Sequence, residues 1–434
     1  MNSATLNRIS RGRLRRFALT VFVAVFVAGC GGGGGGGGGD TTGGTGGGTG
    51  GGGTGGGTGG GTATGDDARR EVLASIGTEI IIPALQDFDT QAKAMETALA
   101  SLSAAPTDAS ALEGARDAWN AAMSSWQRSE ALQVGPAGRS SNPDRVLGGQ
   151  DFREFIYSWP ITLDVCALEE AAANGDAINN NTSIDITGLG ALEHLLYTDT
   201  SPVTCAASPD ATARAAHAER LGQRISVLSE SLLNRWDAAN GNFIAQWSEA
   251  GNVTDTYGTP QDALDALSIA LFYVEKESKD RKVALTTGVG ATDLVCGNPA
   301  SCPEFLESRL SRRTGANLIA NFQIFRDVFT GLNGGMGIND LLTGISRDDL
   351  ATSLVDALDV VIARLNDIEA DGGFDAAVEA VSDRTECVNA FSSSMGIAPC
   401  AALGEMKTAL DIFRVDIVSA LSLAIPDSSA GDND

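Results

Sequence analysis

The sequence predicts an all-α protein: two helical-bundle domains behind a lipoprotein signal and a disordered glycine-rich tether. Three observations carry this. Beyond residue 65, apolar side chains recur at the 3.6-residue helical spacing and alternating runs are scarce. The breaks between these runs are short and rich in Gly, Pro and Cys, as in the turns that join packed helices. Finally, 25 of the chain's 54 glycines fall in residues 31–65, where the other residues are Thr, Ala and Asp. Such a stretch has no apolar surface to offset its ordering entropy, so it reads as a flexible linker. The remaining residues supply about two domains at roughly 100–200 residues each.

Taken in order, residues 1–29 read as a signal peptide. Arg8, Arg11, Arg13, Arg15 and Arg16 form a basic opening, and residues 17–29 are apolar apart from Thr20. That is too short to span a bilayer and suits a signal core. It ends in Val27, Ala28, Gly29 and Cys30, which resembles the bacterial lipobox whose Cys is lipidated. Gly31, rather than Asp, follows, as expected for delivery to the outer membrane. Residues 30–65 then form a lipidated Cys and a tether with a typical reach of about 30 Å.

The first bundle is expected over residues 66–250. Val72, Ile76, Ile80, Phe88, Ala92, Met95, Leu99 and Leu102 mark a long helix bent at Pro83, which lacks a backbone donor. Ser110 and Glu113 have capping-box spacing and open a helix carrying Ala115, Trp119, Ala122 and Trp126. Asp210 opens another with Leu221, Ile225, Leu228, Leu232 and Trp236 in phase. A boundary is placed within residues 241–260, where Gly, Asn and Thr cluster.

The second bundle is expected over residues 251–425. Thr259 with Pro260 is a helix start leading into Leu264, Leu267, Leu271 and Val274. Leu318, Phe322, Phe325 and Phe329 mark the next helix, and Leu350, Leu354, Leu358, Ile362 and Leu365 another. Leu403, Met406, Leu410, Phe413, Ile417 and Leu421 mark the last, before Pro426 and a disordered tail, residues 426–434.

The chain is acidic, with a net charge of −25, and its five leader arginines leave 55 acidic against 25 basic residues beyond Cys30. No basic stripe remains to neutralise phosphates, so nucleic acid is excluded as a partner class. The expected partners are a membrane, through the lipid anchor, and a small ligand, cation or envelope protein. Six cysteines besides Cys30 suit an exported, disulfide-bonded protein: Cys166, Cys205, Cys296, Cys302, Cys387 and Cys400. Fifteen pairings are possible, and proximity along the chain favours Cys296–Cys302 and Cys387–Cys400, leaving Cys166–Cys205. None has zinc-like spacing.

No HExxH, GxSxG or P-loop is present. Of the two histidines, His217 lies in a polar, alanine-rich helix start and is expected to face solvent. His194 follows Glu193 in an apolar run behind Gly188 and Gly190. A carboxylate in such a run is costly unless it is paired, hydrogen-bonded or metal-bound, which makes Glu193 a candidate metal ligand. Glu130, at the end of a Trp-rich helix, and Glu307, near a helix start, invite the same weighing. With Glu193, Asp151, His194, Lys282, Ser308 and Ser311 they make up a candidate ligand-binding cleft, and Arg153 and Arg309 are candidate counter-charges or anion contacts. Convergent carboxylates suit a divalent cation or iron, or an acid–base pair. Trp119, Trp126 and Trp159 are expected in the core rather than on a ligand.

Several stretches, in order, resemble the imelysin-like proteins, peptidase family M75: Ala118 and Trp119, Trp126 through Glu130 with Gly135 and Pro136, Phe155 through Pro160, Gly188 through Tyr197, Asp280 through Lys282, Glu307 through Ser311, and Asn321 through Gly331. The resemblance implies two helical bundles with a cleft between them, an envelope location, and either metallopeptidase activity or a role in iron uptake. The family's GxHxxE motif supplies His and Glu as proposed metal ligands. Here it reads Gly188, Leu189, Gly190, Ala191, Leu192 and Glu193, so glycine stands where the motif has His. His194 points about 100° away from Glu193 on a helix and does not replace it. The expectation is therefore a binding protein without peptidase activity, the rival being a metallopeptidase with a rearranged metal site.

Overall fold

The computed structural model describes residues 65–426, apart from 142–144, 200–201, 203, 254, 290–300, 383–386 and 388–395. The signal, Cys30, the tether, Cys296 and residues 427–434 lie outside the described residues. Among those described the chain is all-α, with one isolated bridge pair, Ala250 and Val253.

The first helix, α1 (Asp66–Ile76), runs through a π-helical turn, Gly77–Ile81, into α2 (Ile82–Ala104). The expected break at Pro83 is this turn: proline offers no N–H to the preceding carbonyl, and the chain widens just before it. α3 (Ala109–Glu130) starts two residues earlier than the capping-box reading. Asp108, not Ser110, is its cap, accepting from the Ser110 amide at 2.8 Å. α2 lies against both α3 and α4 (Ala211–Trp236), and the Asp210 side chain caps α4 as expected. Thr259 and Asp262 close a reciprocal capping box on the helix Pro260–Leu271.

The two halves of the chain pack on one another. α3 lies against the helix Thr314–Thr330, and α1 against Pro260–Leu271 and Ile338–Gly344. Most buried apolar side chains form one connected cluster from Ala68 to Leu423, with Cys387 and Cys400 in a second, smaller one. Within residues 241–260, Trp247 and Tyr257 are fully buried, and the Trp247 indole donates to the Leu73 carbonyl at 2.8 Å. Two disulfides join Cys166 to Cys205 and Cys387 to Cys400, matching two expected pairs, and Cys302 is also disulfide-bonded.

His217 is buried, not solvent-facing. On α4, its Nδ1 lies 3.1 Å from the Arg220 guanidinium, and burial followed by that charge pushes its pKa down to about 4.

The helix Gly188–Tyr197 starts with two glycines that differ in kind. Gly188 has φ +76°, and a Cβ there would sit 2.6 Å from the Ile156 carbonyl oxygen. Gly190 would meet only the Tyr157 ring edge, at 3.8 Å. We expect Gly188→Ala to cost about 1–3 kcal/mol in urea denaturation. Gly190→Ala should be neutral or stabilising by up to about 1 kcal/mol. Equal effects at both positions would refute this distinction.

Candidate functional site

Six segments converge on one polar centre: the end of α3, the short helix Phe152–Ile156 with the strap that follows it, the helix Gly188–Tyr197, a π-helical segment Val274–Leu285, the loop 306–313, and the helix Thr314–Thr330. Glu307 lies at the middle and is fully buried. Its Oε2 is 2.8 Å from Lys282 Nζ and accepts from the Asn317 amide at 3.0 Å. Its Oε1 accepts from Gln127 and from the Tyr157 hydroxyl, both at 3.0 Å. Lys282, equally buried, also donates to Gln127 Oε1 at 3.0 Å and Asn321 Oδ1 at 2.8 Å. Its ammonium lies 5.4 Å from the ring centroids of both Trp159 and Tyr273. All three ammonium protons thus have acceptors, which is what a buried charge requires.

A second buried pair adjoins it. Arg153 Nη2 donates to Glu130 Oε1 at 2.8 Å and to the Trp159 carbonyl, while Nη1 reaches Glu154 at 3.1 Å. Glu130 Oε2 has no hydrogen-bond partner, and burial pushes its carboxyl above the usual range against the pull of Arg153 and Lys282.

Above this network lies a cavity of about 730 Å³. Its walls include Tyr157, Trp159, Gly190, Glu193, Ser308 and Arg309. Of the three candidate glutamates, Glu193 alone lines it; Glu130 and Glu307 lie fully buried beneath the wall. Glu193 Oε1 accepts from the Ser311 amide at 2.9 Å and its hydroxyl at 2.8 Å. Burial nonetheless pushes its pKa up to about 7, with the Ser311 hydrogen bonds opposing and the Glu307 charge reinforcing. Burial and the Glu307 carboxylate also hold the Tyr157 phenol well above its ordinary range. Near neutral pH the cavity therefore presents a neutral phenol and a carboxyl poised between its two protonation states.

The other candidates divide. Ser308 accepts from the Asn317 amide at 3.1 Å and, like Arg312, takes a left-handed backbone conformation, φ +49° and +56°. These two turns shape the loop that presents Ser311 to Glu193. Asp151 does not line the cavity; also left-handed at φ +63°, it accepts from the amide and hydroxyl of Ser140. His194 lines the cavity, but its Nε2 lies 2.7 Å from Glu169, which also pairs with Arg214. Trp119 and Trp126 are core residues as expected, whereas Trp159 lines the cavity. Its backbone carbonyl is tied to Arg153, which holds the strap in the wall rather than the core.

Sequence reasoning missed Gln127, Tyr157, Asn317 and Asn321 as members of the centre. A signal existed for two of them. Asn317 and Asn321 stand four residues apart beside the stripe Leu318, Phe322, Phe325 and Phe329, and polar groups at core spacing need partners.

Fold and site together define an all-helical protein with a polar cavity seated on a buried ion-pair network. The chain belongs to the imelysin family, peptidase M75, whose family model matches residues 81–393. It is similar to iron-regulated protein A of Synechococcus elongatus, 24% identical over 257 residues, which are 58% of this chain and 62% of that protein. The chain thus matches about 62% of that curated relative's length. Two solved structures share the fold. An imelysin-like protein from Psychrobacter arcticum 273-4 has a TM-score of 0.62 at 14% identity, covering 83% of this chain and 98% of that one. A putative iron-regulated protein A precursor from Parabacteroides distasonis has a TM-score of 0.60 at 18% identity, covering 80% and 95%.

The residues present do not fit the transition-metal site that the family motif implies. Gly190 offers no donor, His194 Nε2 is bonded to Glu169, and no group of three or more His, Cys, Asp or Glu among the described residues is placed to hold a metal. One carboxylate is a poor substitute for such a set.

Two predictions follow from these geometries. The folded protein keeps the Glu193 proton up to about pH 7, whereas the unfolded chain releases it near 4.5. Stability should therefore fall as pH rises through that window, by about 3 kcal/mol in all. Glu193→Gln, which keeps the Ser311 contact and cannot ionise, should lose less stability than the parent between pH 5 and 8 in thermal melts. Parallel pH profiles would contradict this. Lys282→Met leaves Glu307 buried without its cation and should cost about 3–5 kcal/mol in urea denaturation. The double change Lys282→Met with Glu307→Gln should recover part of that loss.

Proposed function

We propose that this protein is a cell-envelope binding protein that holds a small organic ligand in the cavity over Glu193. It would be lipid-anchored at Cys30 and carried free of the outer membrane by the glycine tether. The single observation that carries the reading is the pairing of a cavity of ligand size with a poised carboxyl and an aromatic wall. Ligand sites are concave, mostly apolar, and carry a few placed polar groups. Glu193 accepts or donates a hydrogen bond to the ligand, according to pH, and the Trp159 and Phe305 rings cover its apolar part.

An iron link is the second half of the proposal. It is supported by the names of the curated relative and of one solved structure, both iron-regulated protein A or its precursor. Among the described residues no helix is long and apolar enough to cross a membrane, so the proposed attachment depends on the lipid. Peptide cleavage through a rearranged metal site is the rival reading, and the donor set around Glu193 argues against it.

The test compares the parent with Gly190→Phe, which places a ring in the cavity at a position with open space. After exposure to a small-molecule extract of cell envelopes, native mass spectrometry should find a bound ligand on the parent and none on Gly190→Phe, with both equally folded. In parallel, peptide libraries with Zn²⁺ or Fe²⁺ should remain uncut. Chelator-sensitive cleavage that disappears in Glu193→Ala would overturn the binding-protein reading. Transcript levels indifferent to iron limitation would remove the iron link.

A further inference from the structure

The cavity over Glu193 has an unbalanced charge in its wall. Glu193 is 8% exposed, and both Ser311 donors go to its Oε1, which leaves Oε2 without a side-chain partner. The Leu310 amide adds a weaker pull, and the charge bearing most on the carboxyl is another carboxylate, Glu307. Amide and hydroxyl donors are neutral, so they solvate a carboxylate without balancing its charge. A carboxylate buried in this way takes up either a proton or a cationic partner.

The cations of the surrounding elements are placed elsewhere. Lys282 is held by Glu307 and Arg153 by Glu130, while Arg313 donates to Ser124. Arg281 and Arg309 line the cavity at exposed positions. Arg281 meets Glu277 at 3.4 Å, and Arg309 shares the exposed rim with Glu304, which offsets it. Burial lowers the His194 pKa, so that imidazole is neutral near pH 7, as is the Tyr157 phenol. The wall around Glu193 is otherwise rich in rings: Tyr157, Trp159 and Phe305 all line it. The Tyr157 ring passes 3.8 Å from where a Cβ on Gly190 would stand, one helical turn before Glu193.

We propose that this cavity takes an organic ammonium, with its charged head on Glu193 and its hydrocarbon body against the aromatic wall. The inference rests on the reading of the cavity as a small-ligand site and adds the charge of the ligand. The head supplies the counter-charge that the protein withholds, and ring faces attract a cation through their quadrupole. A volume of about 730 Å³ falls among small-ligand sites, roughly 300–1,000 Å³. A chain of net charge −25 also concentrates cations around itself.

The test is calorimetric titration of the full chain at pH 8 with three probes on one skeleton: tryptamine, an ammonium; tryptophol, the neutral alcohol; and indole-3-propionate, an anion. Tryptamine should bind saturably and at least about tenfold more tightly than either analogue. In Glu193→Gln, which keeps an acceptor for Ser311 and loses the charge, that preference should vanish while tryptophol binds as before. Phe305→Leu, at an exposed position, should weaken tryptamine by about threefold. Gly190→Phe should abolish its binding. No tryptamine binding at millimolar concentration, an analogue binding as tightly, or tryptamine binding unchanged in Glu193→Gln or Gly190→Phe would each overturn the proposal. Equal binding of all three probes, lost in Gly190→Phe, would overturn it and leave the small-ligand reading intact. The three-probe comparison on the unmodified chain decides even if a variant misfolds.

Discussion

The buried pair Lys282–Glu307 is the constraint on which the rest of the site depends. Both side chains are fully buried, and removing two charges from water costs several kcal/mol each unless every lone pair and proton is answered. The answers come from four other places in the chain: Gln127 on α3, Tyr157 on the strap, and Asn317 and Asn321 on Thr314–Thr330. Each partner belongs to a different element, or a different turn of one, so the pair can be satisfied only when these elements are docked. A buried pair of this sort adds little net stability over an apolar replacement. What it specifies is register: α3, the π-helical segment and Thr314–Thr330 must meet at a single set of positions.

That register reaches the cavity through the loop 306–313. Glu307 anchors the start of the loop in the core, the left-handed Ser308 and Arg312 turn it, and Ser311 arrives with two donors at Glu193. The same network fixes the other wall, because Tyr157 is bonded to Glu307 and the Trp159 carbonyl to Arg153. The strap therefore stands as a fixed wall of the cavity. Its rigidity comes from buried charges rather than from regular secondary structure.

The helical part of this arrangement was legible in the sequence because periodicity reports burial directly. Val72 through Leu102, Leu221 through Trp236 and the stripe of Leu318 with three phenylalanines all became buried faces. The Thr259 and Asp210 starts were also legible, since a cap is a local bond between residues three apart. Ser110 misled because Asp108 caps the helix two residues earlier, accepting from the Ser110 amide itself. His217 misled because polar neighbours along the chain say nothing of what packs on it from another helix. The partners of Glu307 were hidden for the same reason. Its bonds to Gln127 and Tyr157 span more than a hundred residues, and no local pattern encodes them. Family resemblance ordered the stretches that hold these residues without saying which of them touch.

Gly190 ties the two levels together. The family motif places a histidine one helical turn before Glu193, where the two side chains share a face and can hold one cation. With glycine there, Glu193 keeps the two donors of Ser311 and loses the partner that would have fixed its negative charge. A carboxylate bound to a metal stays ionised across neutral pH; one left among apolar walls and near the Glu307 charge takes up a proton instead. Removing one imidazole therefore changes more than a ligand count. With glycine at 190, burial and the nearby Glu307 charge push the Glu193 pKa up to about 7, and the space beside Tyr157 stays open.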